Sequence, residues 1–86
     1  NAPELVDLLA WDEATFLRMT EGSAIRRIGH VRWLRNVALA AGNALASFSQ
    51  LSENQKQALR EGLRHWESHA DPVVQEQVAW SLKQGA

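Results

Sequence analysis

Between His30 and Ala41 the apolar residues Val31, Leu34, Val37, Ala38 and Ala41 recur three and four apart, and Trp33 and Ala40 widen the stripe they make. At about 100° per residue these positions cover one broad face of an α-helix. A helix apolar over so wide an arc needs neighbours on more than one side, so the chain is expected to stack helices around this one. Arg32, Arg35, Asn36 and Asn43 fall on the remaining arc and border the core without entering it.

The other segments read as helices too. Two prolines and scattered glycines interrupt stretches rich in Ala, Leu, Glu, Gln and Arg, with no sustained alternation of β-branched residues. Pro3 suits the first turn of a helix carrying Leu5, Leu8 and Leu9, and Trp11 staples the junction that follows. Asp12 is an N-cap for a second helix with Phe16, Leu17 and Met19, stopped at Gly22. From Ser23 a short helical turn leads to Gly29, and the main helix is expected over about His30–Ala41, with Gly42-Asn43 as its stop. After a loop over 44–51, Ser52-Glu53-Asn54-Gln55 matches a capping box, and Gln55, Leu59, Leu63 and Trp66 continue at helical spacing to about His69. Asp71-Pro72 pairs an N-cap with Pro at the first helical position, and Val74, Val78 and Leu82, with Val73 and Trp80, make the inner face of a last helix. The spacing predicts an all-α fold, a short helical array of about five helices, with Leu34, Val37, Ala38, Trp66, Val78 and Trp80 in the core. The stretches 52–69 and 71–84 have the length and turn of one HEAT-like repeat of an α-α superhelix. Residues 3–86 read as a single domain, and Asn1-Ala2 as the remnant of a cleaved tag.

A chain of 86 residues has room for one small core. No apolar run approaches the roughly 20 residues that cross a bilayer, so no membrane partner is expected. With no cysteine, disulfides, thiolate catalysis and iron–sulfur ligation by this chain are excluded. His65 and His69 stand four apart but lack a third ligand, and no Ser/His/Asp or paired-carboxylate set suggests catalysis. Neither a metal site nor a catalytic residue is therefore expected. The distinctive feature is electrostatic. Net charge is only −1, yet Arg18, Arg26, Arg27, Arg32 and Arg35 face a single acid, Glu21, between positions 18 and 35, and that block has no lysine. Arginine suits bidentate phosphate contacts. Arg26, Arg27, His30, Arg32 and Arg35 are the candidate residues for binding a nucleic-acid phosphate backbone; in the alternative, Arg26, Arg27 and Arg35 make salt bridges to another protein domain and no nucleic acid is touched.

The stretch "GSAIRRIGHVRWLRN" followed by "VALAAGNA" resembles the C-terminal part of the epoxyqueuosine reductases, cobalamin-dependent iron–sulfur enzymes of transfer-RNA modification. "LLAWDEATFLRMTEG" is similar to that family's lead-in and "DPVVQEQVAWSL" to its closing repeat, so the resemblance spans nearly the whole chain and is weakest over 44–67. It implies a HEAT-like C-terminal domain of an oxidoreductase of queuosine biosynthesis, docking the tRNA anticodon stem-loop beside an N-terminal catalytic domain. It also implies that cobalamin and two [4Fe–4S] clusters are bound outside this chain, and that the protein is cytoplasmic. Ala24 stands where many members carry proline, and Gln75 where repeats of this type often carry arginine. Those departures imply a less rigid first turn and one basic contact fewer.

Overall fold

The structure, a computed structural model, describes residues 2–47 and 51–85. Among them every regular element is helical: α1 (Ala2–Leu9), α2 (Glu13–Met19), a 3-10 helix (Ala24–Ile28), α3 (Gly29–Ala46), α4 (Glu53–Arg64) and α5 (Pro72–Leu82). The molecule is a slab of 36 × 25 × 16 Å, thin enough for about two layers of helices spaced 8–10 Å apart. The central helix is α3: α1, α2, α4 and α5 all pack on it.

Helix starts follow local chemistry. The Thr15 N–H donates to Asp12 Oδ1 at 2.8 Å, opening α2. Ser52 Oγ accepts from the Gln55 N–H while Gln55 Oε1 accepts from the Ser52 N–H, a complete capping box. Asp71 Oδ1 accepts from the Val73 and Val74 amides ahead of α5. Each bond satisfies an N–H that the first turn of a helix cannot. Ala2, set aside above as a tag remnant, lies in α1 and is buried with the core; Asn1 lies outside the described residues.

Helix ends depart from expectation. α3 does not stop at Gly42-Asn43 but continues to Ala46, and the rest of the expected loop lies partly outside the described residues. The reason is tertiary: a Cβ on Gly42 would come 2.5 Å from Ser81 Oγ and 2.8 Å from Trp80 Cζ3. Gly42 is an approach point for α5, and the packing outweighs the roughly 1 kcal/mol that glycine costs a helix. α4 ends at Arg64, not near His69, and Trp66 leaves the helix so that its Nε1–H donates to Leu9 O at 2.7 Å. α5 packs more on α3 than on α4, its neighbour in sequence. It runs in the same sense as α3, since Ser81 Oγ donates to Ala38 O at 2.7 Å and Gly85 meets Leu45 further along.

Leu34, Val37, Ala38 and Val78 are buried, together with Leu9, Phe16, Leu59, Leu63 and Val74; Trp66 is half-buried against them. Trp80 is not a core residue: it is 43% exposed. It stands two residues from Val78, about 200° round the helix, and the buried position beside it belongs to Ser81. Val73 lies on the same outer side and is exposed. Val31 shares the side of α3 that carries Ala38, but two turns nearer the N-terminus, and is exposed; Ala40 lies off the buried arc. Leu17 and Met19 also face outward, leaving Phe16 as the buried residue of α2.

Candidate nucleic-acid interface

The arginine block is built on a turn that glycine makes possible. Gly29 closes the 3-10 helix at φ 82°, ψ 159°, a backbone region open to glycine and little else, and Gly22 precedes the block at φ 77°. Nothing lies within 4 Å of a Cβ at either position, so the demand is conformational. Between them, Ser23 Oγ accepts from the Ile25 N–H at 3.2 Å. No residue of the 3-10 helix is buried, and Arg26 and Arg27 point into open solvent.

Arg32 and Arg35 follow one turn apart on α3, Arg32 exposed and Arg35 half-buried. Arg18 ends α2, where a cation suits the negative end of the helix dipole. None of these five guanidinium groups forms an ion pair or hydrogen bond among the described residues. The one ion pair there joins Lys56 to Glu53 at 3.6 Å, on the exposed side of α4. A block of free arginines, rimmed by exposed Ile25, Ile28 and Val31, can accept phosphates or a protein surface without first breaking internal bonds.

His30 does not belong to that surface. It is 7% exposed, and its Nε2–H donates to Trp11 O at 2.9 Å. Its ring lies 5.8 Å from Phe16, 5.9 Å from Trp33 and 5.5 Å from Trp66. On the helical wheel His30 precedes Leu34 by four residues, so the spacing that buries Leu34 buries His30 too. Trp33 joins the same cluster, stacked on Trp11 at 5.2 Å. His69 is likewise committed, its Nδ1 accepting from the Asp71 N–H at 2.9 Å. Among the described residues no three His, Asp or Glu side chains converge as metal ligands, and no helix is long and apolar enough to cross a membrane.

The residue reading missed a groove between α3 and α5 that Arg35, Leu39, Glu76 and Trp80 help to line. The signal was present in the spacing: Val73, Gln77 and Trp80 share a side of α5 distinct from the Val74–Val78 stripe.

An epoxyqueuosine reductase of Alicycliphilus denitrificans is 55% identical over 82 residues, 95% of this chain. The chain is homologous to the C-terminal part of epoxyqueuosine reductases. The Xanthomonas campestris enzyme is 51% identical over 80 residues and that of Escherichia coli K12 46% identical over 84, covering 93% and 98% of the chain. The chain spans about a fifth of these relatives, 22% of the first and 20% of the other two. No protein-family profile and no solved structure matches it.

Proposed function

We propose that the chain is the helical module by which an epoxyqueuosine reductase, an oxidoreductase of queuosine biosynthesis, holds the anticodon stem-loop of transfer RNA. The observation that carries this reading is that Arg26, Arg27, Arg32 and Arg35 form no ion pair with a carboxylate among the described residues. A chain of net charge −1 that keeps one arginine block unneutralised offers a local anion site. Arg26, Arg27, Arg32 and Arg35 contact phosphates in this reading, and His30 serves them only by fixing the start of α3 against Trp11. The chemistry belongs to the rest of such an enzyme. This chain has no cysteine to ligate an iron–sulfur cluster, and the likeness to these reductases is what assigns cobalamin and both clusters to the preceding catalytic portion.

The test is the salt dependence of binding to an anticodon stem-loop. Each phosphate that an arginine neutralises releases condensed counterions, so Arg26→Ala and Arg32→Ala are each expected to weaken binding and flatten the slope of log K against log salt by about one. Lys83→Ala, at the far end of α5, is expected to leave both unchanged. Equal effects from all three substitutions would mean diffuse attraction and sink the assignment.

A second reading has its own support in the exposed Ile25, Ile28 and Val31 among the arginines: the block docks on the catalytic portion and touches no RNA. It predicts that the same arginine variants of a full-length reductase are cut faster at the junction while RNA affinity is unchanged.

A further inference from the structure

The groove between α3 and α5 has a volume of about 550 Å³, within the roughly 300–1,000 Å³ of sites that take small ligands. Its two walls differ. On α3, Arg35 and Leu39 stand four residues apart, and Arg32 lies one turn before Arg35. On α5, Val73, Glu76 and Trp80 share the outer side. The helices are drawn together beneath it by Ser81 Oγ donating to Ala38 O at 2.7 Å and by the missing side chain of Gly42. The Trp80 ring rests its Cζ3 edge against Gly42, so it is held in place, yet it remains 43% exposed. Leu39 and Val73 are also exposed beside it. An anchored, open indole flanked by aliphatic side chains and bordered by the unpaired Arg35 guanidinium, with Arg32 one turn before it on α3, combines the two elements that bind single-stranded nucleic acid, a stacking platform and a cationic track.

We propose that this groove takes one unpaired RNA nucleotide, its base against the Trp80 indole and its phosphate toward Arg35 and Arg32. Glu76, which has no ion-pair partner among the described residues, repels phosphate from the α5 side and so keeps the strand's backbone along α3. The inference rests on the RNA reading above and adds a contact that reading does not require, because phosphate binding alone leaves Trp80 idle.

The experiment compares an RNA hairpin with an unpaired loop and a blunt duplex of the same stem, bound to this chain and its variants. Trp80→Ala is expected to weaken hairpin binding roughly 5- to 150-fold, the range of a lost base–aromatic stack, with the salt slope unchanged because no phosphate contact is removed. Trp80→Phe retains most of the affinity, and duplex binding is unaffected by either change. Val73→Glu provides a second variant: it lies in the first turn of α5, where an acid suits the helix dipole, and the new carboxylate is expected to repel the nucleotide. Hairpin affinity within twofold of the unsubstituted chain for both Trp80→Ala and Val73→Glu, with Arg32→Ala still weakening it, would overturn the groove and leave the RNA reading standing. No hairpin binding by the unsubstituted chain would overturn the RNA reading and the groove with it. Unchanged RNA affinity with faster proteolysis of a full-length reductase carrying Trp80→Ala would make the groove a protein dock, against the proposal.

Discussion

Gly42 has space for no side chain, although it stands within a helix where alanine is intrinsically better by about 1 kcal/mol. Both neighbours a Cβ would meet are constrained: the Trp80 ring rests its edge there, and Ser81 is fully buried and bonded to Ala38 O. Overpacking a site that cannot relax costs about 1–3 kcal/mol, so the clash outweighs the gain. Gly42→Ala is expected to destabilise the chain by about 1 kcal/mol in urea unfolding, the middle of the net of those two effects; an unchanged or higher midpoint would show that α3 and α5 can separate at no cost. His30 teaches a related lesson about side chains that look functional. Its imidazole is spent on one backbone carbonyl and three aromatic rings, which removes it from the surface its arginine neighbours form.

At the scale of the element, α2 is the most dependent on its cap. It has seven residues and buries only Phe16, and short helices have little propagation to set against their nucleation. The Thr15 backbone N–H, and then its side chain, hold the Asp12 carboxyl below the ordinary aspartate range against a smaller opposing effect of desolvation, with the least contributions from His30 and Arg18. Because the folded value lies below the unfolded one, the cap's contribution is complete above the unfolded value of about 3.9 and is lost as pH falls through the lowered folded value. Asp12→Asn keeps a capping oxygen and removes the titration. The stability advantage of the native chain over Asp12→Asn is therefore expected to shrink as pH drops below about 4 and to stay level between pH 5 and 7. A thermal melt series of both proteins reads it directly, and a gap that widened in acid would contradict the cap's role.

The whole molecule is tied across sequence by two bonds at the end of α1. Trp66 Nε1–H donates to Leu9 O at 2.7 Å, 57 residues away in sequence, and His30 Nε2–H donates to Trp11 O at 2.9 Å. They fasten the first helix to the middle and the fourth, and close the aromatic cluster around Trp33. Trp66→Phe keeps a ring and removes the donor, leaving the buried Leu9 carbonyl unsatisfied. A loss of about 1–3 kcal/mol is expected, and hydrogen exchange should quicken in α1 more than in α5, since local opening follows the weakened contact. Uniform quickening across all helices would mean that α1 is no separate unit of stability.

Caps and periodicity were legible in the sequence because they act within four residues. Asp12, Ser52 and Asp71 cap where local chemistry predicts, and Leu34, Val37, Ala38 and Val78 are buried on the helix faces their spacing defines. The arginine block was legible as composition, and that Arg26, Arg27, Arg32 and Arg35 form no ion pair among the described residues became visible only in three dimensions. Tertiary contacts decided what local rules could not rank. Gly42 reads equally as a helix stop or as a close approach, and only the presence of Ser81 on α5 selects the second. Trp80 and Ser81 are adjacent, and hydrophobicity ranks the tryptophan as the one to bury. The structure buries the serine because α3 and α5 approach too closely there for an indole, while a hydroxyl fits and finds the Ala38 carbonyl. Periodicity states which residues share a face; the distance between two helices decides which of those faces can close.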